Sequence, residues 1–248
     1  MDVTDIRLLV CHLFSQNTAW LYAHQHDDLS EFQIQQLNQW VKELQAGKPL
    51  AYITGQQAFW NLKLKVNPHT LIPRPETELI IETVERLNLQ PKKILDLGTG
   101  SGAIALALAT LLPKAEITAT DVSFEALETA KNNAQLNQIT DVEFIQSDWL
   151  SQIESREFDL IVSNPPYIAE DDKHLKNLTH EPITALVAKN SGLAAYQTIC
   201  KDASSFLQSG GMLMFEHGWQ QHKAVADIMK KNGFTEIDTK KDLLGCLL

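Results

Sequence analysis

The sequence predicts an α/β fold, a doubly wound and mostly parallel sheet, preceded by a small helical domain. Three observations lead there. Apolar residues recur at helical spacing from the start to about Gly47, and short apolar runs alternate with helical ones after Pro91. A glycine-rich turn, Gly98-Thr99-Gly100-Ser101-Gly102, joins the first of those runs to the helix behind it. Such alternation sets strands side by side in parallel with helices on both faces. Ligands of sheets built this way bind beyond the carboxyl ends of the strands.

In the first region Ile6, Leu9, Val10 and Leu13 share one helical face, and Ile34, Leu37, Val41 and Leu44 another. Gly47-Lys48-Pro49 stops the last helix, because glycine accepts the left-handed turn and proline cannot continue the ladder. A helical domain over residues 1–50 is expected, with Trp20, Trp40 and the histidines as packing residues. Residues 51–75 read as a linker with short strands, including the alternating Leu62, Leu64 and Val66. Pro75 stands where a helix begins, and Glu76 and Glu78 fall in its first turn, near the positive end of the dipole. Leu79, Ile80, Val84 and Leu87 are expected to form its buried face. The remaining domain, 76–248, is expected to place strands at 94–97, 117–120, 142–145, 158–163 and 212–215. Helices are expected near 102–112, 124–136, 192–208 and 219–232.

A chain of 248 residues can bury one full core and a smaller satellite. Its longest strongly apolar stretch, 104–112, is too short to span a bilayer, and no basic segment followed by an apolar one opens the sequence. Cys11, Cys200 and Cys246 lie far apart and form no metal-ligand pair, so a cytoplasmic, reduced, metal-free protein is expected. The formal net charge is −10, with no Lys/Arg cluster beyond doublets such as Lys92-Lys93 and Lys240-Lys241. That balance suits a small-molecule or protein substrate better than a grip on phosphates.

The first strand runs into Asp96-Leu97-Gly98-Thr99-Gly100-Ser101-Gly102, and a helix follows at once. Glycines let the backbone turn tightly and approach a ligand, and the helix N-terminus offers free N–H groups. Asp121, ending the second strand, can accept both hydroxyls of a ribose. Asp148-Trp149, after the third, can hydrogen-bond and flank an adenine ring. Gly98, Gly100 and Ala103 also satisfy a dinucleotide-binding spacing, with Asp121 about where its ribose acid should lie. On this segment alone a methyl donor and a nicotinamide cofactor stand level, and a plain tight turn is the weaker third reading.

The fourth strand delivers Asn164-Pro165-Pro166-Tyr167 beside that crevice. Consecutive prolines remove two N–H donors and fix φ, giving a rigid loop with bare carbonyls. An Asn side-chain oxygen and a neighbouring backbone carbonyl then accept both hydrogens of an NH₂ group, and Tyr167 offers a flat face to a planar amide or base. An amide nitrogen is a poor nucleophile, since its lone pair is delocalised. Orienting it, and stabilising the positive charge that develops on methylation, calls for fixed acceptors and no strong base. Asn164 is assigned to binding and polarisation. Nicotinamide chemistry has no use for such a loop, so the methyl-donor reading prevails.

Here the sequence resembles the release factor glutamine methyltransferases (the PrmC/HemK family) over nearly its whole length. Besides the two motifs above, it carries Tyr52-Ile53-Thr54-Gly55, Phe59, and Leu71-Ile72-Pro73-Arg74-Pro75-Glu76-Thr77-Glu78. His180-Glu181-Pro182, Ala185-Leu186 and Gly192-Leu193 complete the pattern. The resemblance implies a Rossmann-like class I methyltransferase domain that uses S-adenosylmethionine. It also implies methylation of the glutamine amide in the Gly-Gly-Gln motif of peptide chain release factors, engaged in part through the helical N-terminal domain.

By matching positions, Asn164 and the Pro165 carbonyl would hold the glutamine amide, with Pro166 stiffening the loop and Tyr167 lying against the amide. Gly98, Asp121 and Asn164 would line the cofactor, within the set Asp96, Gly98, Thr99, Gly100 and Gly102, and Asp148 or Trp149 would sit near the adenine. Arg74 and Glu76 would brace the site from the linker, on its substrate side. One departure is visible. The chain ends Asp242-Leu243-Leu244-Gly245-Cys246-Leu247-Leu248, without the family's following Arg-containing strand, so a very short or replaced last strand is expected.

The rivals are an adenine amino-methyltransferase acting on DNA or RNA, a cofactor-binding protein without turnover, and a nicotinamide dehydrogenase. The first must extract its base from a stack and grip phosphates, which the acidic balance disfavours. A monomer without direct nucleic-acid or membrane contact is expected.

Overall fold

The computed structural model describes residues 2–154 and 157–240. Two compact units emerge, Met1–Gln56 and Gln57–Leu248.

The first unit holds helices α1 (Val3–Phe14), α2 (Thr18–Ala23), α3 (Glu31–Gln45) and α4 (Leu50–Thr54). Each of the first three begins at a residue whose side chain accepts a backbone N–H that the helix leaves free. Asp2 takes that of Thr4, Asn17 that of Trp20, and Ser30 that of Gln33 in a reciprocal box with the Gln33 side chain. Leu9, Cys11, Ala51 and Tyr52 are buried. Trp20 stacks on His24 at 4.3 Å between ring centres, and Trp40 lies 5.4 Å from His12. Ile34, expected on a buried face, is 45% exposed beside the exposed Phe32.

In the second unit β1 (Gln56–Phe59) pairs with β2 (Leu62–Lys65) in a two-stranded sheet. Leu62 and Leu64 point inward while Lys63 and Lys65 face out, the period-two alternation of a half-buried strand. A single 3₁₀ turn, Pro75–Thr77, leads into α5 (Glu78–Arg86). Its buried face is Ile80, Ile81 and Val84; Leu87 is a correction to the expected face, being 47% exposed. The helix stops at Arg86, and Asn88 in the left-handed region (φ 50°) turns the chain away before Leu87 can pack.

The main sheet follows as β3 (Lys93–Leu97), β4 (Glu116–Asp121), β5 (Val142–Gln146), β6 (Phe158–Ser163) and β7 (Leu207–Phe215). Between them come α6 (Ala103–Leu111), α7 (Phe124–Leu136), the short turns α8 (Ile183–Leu186) and α9 (Lys189–Gly192), and α10 (Ala194–Ala203), with α11 (His222–Lys231) after β7. The order is β5-β4-β3-β6-β7, with every recorded pair parallel. Successive residues of one strand serve opposite faces. Ile94, Leu160 and Val162 join the core built with α5 and α6, while Leu95, Leu97 and Ile161 join the core built with α10 and α11. The chain proceeds outward from β3 to β5, then crosses back to β6 on the other side of β3. The crevice of this reversal lies beyond the carboxyl ends of β3 and β6.

All five strands lie where expected, although β7 starts five residues earlier, at Leu207, across a register irregularity opposite Phe158 and Leu160. The helix expected over 192–208 is shorter, Ala194–Ala203. Among the described residues, no helix is long and apolar enough to cross a membrane, and no cluster of three metal-ligating side chains occurs. The stretch 242–248, on which the expectation of a shortened last strand falls, lies outside the described residues.

Candidate active site

The loop after β3 is shaped by three glycines in the left-handed region, Gly98 (φ 73°), Gly100 (φ 57°) and Gly102 (φ 85°). At Gly102 space matters as well as φ. A Cβ there would stand 3.1 Å from both Ala130 Cβ and Leu106 Cδ1, where α6 and α7 meet the loop. Behind the loop Asp96 is completely buried. Its Oδ2 accepts the Thr99 hydroxyl at 2.7 Å and the Ala105 N–H at 3.2 Å, while Oδ1 has no partner. Burial pushes its pKa up to about 7, with the neighbouring Asp121 charge adding to the rise and the two hydrogen bonds opposing it.

Parallel register brings Asp121 beside this loop: Leu97 pairs with Thr120, whose carbonyl then takes the Thr99 N–H at 2.8 Å. The Asp121 carboxylate accepts Gly100 N–H on Oδ2 and Ser123 N–H on Oδ1, both at 2.9 Å. Each oxygen keeps a lone pair, so the group is held rigid with acceptor capacity to spare. Burial raises its pKa and these backbone bonds draw it back. After β5, Trp149 adopts a left-handed φ of 51°, its carbonyl accepting the Ser147 hydroxyl at 2.8 Å. Its ring passes 3.5 Å from where a Cβ on Gly98 would stand.

The fourth-strand loop is anchored at both ends. Ser163 donates its hydroxyl to the Leu97 carbonyl at 2.7 Å and accepts Glu216 N–H on its own carbonyl at 3.0 Å. Downstream, Ile168 N–H bonds the Leu186 carbonyl at 2.9 Å. Between these anchors Asn164 donates from Nδ2 to the Thr77 hydroxyl at 3.2 Å, and Thr77 donates to Glu216 Oε2 at 2.6 Å. Tyr167 donates its hydroxyl to Glu216 Oε1 at 3.2 Å. With its nitrogen engaged, Asn164 keeps Oδ1 as a free acceptor. Burial raises the pKa of Tyr167 and of Glu216, and the hydrogen bonds from Thr77 and Tyr167 oppose the rise at Glu216.

A cleft opens over these loops. Gly98, Thr99, Gly100, Asp121, Asp148, Trp149, Asn164 and Pro166 all line it. The other expected residues are not part of its lining. Asp96 lies under the glycine turn, Gly102 opens α6, Pro165 is buried, and Tyr167 reaches Glu216. Glu76 is exposed in the turn before α5. Arg74 bonds Glu181 Oε1 at 2.5 Å, and the other oxygen of that buried acid accepts Ile72 N–H at 3.0 Å. Glu181 thereby ties the linker to the segment that carries Thr184 and Ala185, and all three parts of that wall (Leu71, Thr184, Ala185) face the cleft.

Sequence reasoning missed Glu216 and gave Thr77 and Glu181 no task. A signal existed: Glu216 directly follows the last residue of β7, just as Asp121 closes β4. The carboxyl ends of parallel strands lie at the ligand crevice, so an acid there is a candidate to support the site whichever strand carries it.

Residues 75–189 match the methyltransferase small domain family, and residues 1–55 match the PrmC N-terminal domain family. A release factor glutamine methyltransferase of Escherichia coli K12 is 43% identical over 241 residues, covering 96% of this chain and 87% of its own. One from Coxiella burnetii is 42% identical over 245 residues, covering 97% and 88%. In structure, a methyltransferase from Pyrococcus furiosus superposes with a TM-score of 0.59 at 19% identity, covering 85% of this chain and 94% of its own, which speaks for the fold alone.

Proposed function

The chain belongs to the release factor glutamine methyltransferase family, and from that premise we propose that it methylates the side-chain amide nitrogen of the Gly-Gly-Gln glutamine in peptide chain release factors. S-adenosylmethionine is the methyl donor, supplying an electrophilic methyl group on a sulfonium. The donor set fits such a molecule. Asp121 is a carboxylate pre-oriented by two backbone N–H groups, suited to a ribose diol. Trp149 and Asp148 stand beside it for an adenine, and the glycine turn leaves backbone approachable.

The observation that carries the substrate reading is the Asn164 amide. Its Nδ2 donates to Thr77, which leaves Oδ1 as the free acceptor of a residue that lines the cleft. Paired with the Pro165 carbonyl, it takes both hydrogens of a substrate NH₂ and holds the nitrogen in line for transfer. Positioning of this kind supplies up to several kcal/mol of barrier lowering, on the order of that measured for well-oriented intramolecular reactions. The acceptors also stabilise charge developing on nitrogen. No general base is needed, because the methylated amide loses its proton readily. Tyr167 steadies the loop from behind, and Arg74 acts through Glu181 on the linker wall.

The protein substrate accords with the net charge of −10, and we place the enzyme as a cytoplasmic monomer that makes no direct contact with nucleic acid. Labelled S-adenosylmethionine and a purified release factor provide the test, beside a factor whose Gly-Gly-Gln glutamine is replaced and an Asn164→Ala enzyme. Label on the wild-type factor, lost with either change, is expected. Label that survives replacement of that glutamine, or appears only on nucleic acid, overturns the reading.

A further inference from the structure

We infer that Glu216 is a positioning residue for methyl transfer: through Thr77 it decides which end of the Asn164 amide faces the cleft, and through the Tyr167 hydroxyl it fixes the far end of the same loop. The inference rests on the proposed role of Asn164 and concerns a residue that touches neither substrate nor cofactor.

Proton counting carries it. Thr77 has one hydroxyl proton, and at 2.6 Å from Glu216 Oε2 that proton is committed to the carboxylate. Toward Asn164 the Thr77 oxygen can then only accept, so the atom 3.2 Å away must be an N–H donor, and Asn164 presents Nδ2 there. Its Oδ1 is left for the cleft. The other carboxylate oxygen takes the Tyr167 proton at 3.2 Å. Both oxygens of Glu216 are therefore acceptors, the arrangement that its ionised form serves best.

The surroundings make this arrangement rigid. Thr77 is 4% exposed and Glu216 3% exposed, so water does not compete for these bonds. The Glu216 carbonyl accepts the hydroxyl of the fully buried Tyr196 at 2.9 Å, and its N–H bonds the Ser163 carbonyl at 3.0 Å. Glu216 is thus pinned on its backbone as well, to the residue immediately before Asn164. A neutral carboxamide at 216 would break the pattern. It must donate from its nitrogen to Thr77 or to Tyr167, and a Thr77 proton so released can turn to Asn164. The Asn164 amide then gains by flipping, which puts donors where the substrate NH₂ needs acceptors.

The test compares Glu216→Gln, Thr77→Val and Thr77→Ser enzymes in methyl transfer to a release factor. Both Glu216→Gln and Thr77→Val are expected to lower kcat by about 10–100-fold, less than the roughly 100–1000-fold for removing an oriented group at the reacting centre itself, because they act through Asn164. KM for S-adenosylmethionine should stay within about twofold, since the Asp121 side is untouched. Thr77→Ser, which restores the hydroxyl, should recover most of the activity lost in Thr77→Val. The double variant Glu216→Gln/Thr77→Val should be no slower than either single one, because both cut the same chain.

A second readout needs no substrate. The Asn164 side-chain NH₂ resonance, assigned by its absence in Asn164→Ala, should be protected from solvent exchange in the wild type and lose protection in Glu216→Gln. Multiplying losses in the double variant, a wild-type kcat in Glu216→Gln, or unchanged amide protection overturns the inference. Absence of methylation by the wild-type enzyme overturns the release-factor reading instead, and the exchange measurement still decides the role of Glu216. Should Glu216→Gln fail to fold, Thr77→Val is read by the same two measurements.

Discussion

At the scale of single residues, Gly192 shows how one missing side chain shapes the site. It sits in the left-handed region (φ 83°), and a Cβ there would stand 2.0 Å from the Tyr167 carbonyl oxygen. That oxygen is backbone, held by Gln221 Nε2 at 3.0 Å, so it has little room to yield. Gly192→Ala is expected to cost at least about 2 kcal/mol from overpacking and positive φ together, measured by urea unfolding, and to lower methyl transfer by displacing the Asn164–Tyr167 loop. A stability change below 0.5 kcal/mol, taken as roughly the scale of surface substitutions, would show that the loop has slack. Glu181 offers a second test. It serves both Arg74 and the N–H of the buried Ile72, whereas Arg74 keeps part of its surface in water. Glu181→Ala is expected to destabilise by about 2–3 kcal/mol, since it strands a buried N–H and a partly buried cation. Arg74→Ala should cost more than a surface substitution, as it strands a buried carboxylate, so the order of the two losses in matched unfolding curves measures what the Ile72 bond adds.

Among the elements, the small sheet depends on a helix for its second edge. Asn133 and Asn137, one turn apart at the end of α7, pair with β2 as a neighbouring strand would. Asn133 accepts Lys65 N–H at 2.6 Å and donates to the Lys65 carbonyl at 2.9 Å, and Asn137 does the same for Lys63 at 3.3 Å and 3.0 Å. Asn133 also donates to the Ser101 carbonyl at 2.8 Å, which links this edge to the glycine turn. An open edge strand leaves backbone groups unpaired, and here side-chain amides close it. Asn133→Ala, at a fully buried position, is expected to cost about 2–4 kcal/mol and to weaken S-adenosylmethionine binding. Asn137→Ala, half in water, should cost about 1 kcal/mol and leave cofactor affinity unchanged. Calorimetric titration of the two variants separates these outcomes.

For the whole molecule, carboxyl groups whose pKa burial raises make stability depend on pH. Folded Asp96 keeps its proton up to about pH 7, while an unfolded aspartate loses its own near about 3.9. Between those values the folded state binds the extra proton, so stability falls as pH rises through the window and levels off above it. The Asp96 contribution is up to about 4 kcal/mol across the window, at roughly 1.36 kcal/mol for each pH unit it spans. Burial also raises Asp121 and Glu216, so they act in the same direction. Unfolding free energies of the ligand-free protein at pH 5 and 7.5 should therefore decline, with the decline reduced in Asp96→Asn. A rise over that interval would mean that Asp96 is ionised and well stabilised in the fold.

What the sequence determined by itself was whatever local pattern and backbone chemistry dictate. Strand and helix periodicities gave the parallel sheet; the glycine turn, Asp121 and Asn164-Pro165-Pro166-Tyr167 marked its ligand end, because strand ends and rigid turns are written in consecutive residues. Tertiary structure decided the rest. Glu216 meets Thr77 across 139 positions and Glu181 meets Arg74 across 107, and no spacing rule connects residues so far apart. The exposure of Leu87 turned on where α5 stops and the chain bends, and the order β5-β4-β3-β6-β7 brought Asn164 to the cleft that Asp121 shares. Which group is polarised, which acid is buried and which amide end faces the substrate all depend on distance and dielectric, and folding sets both.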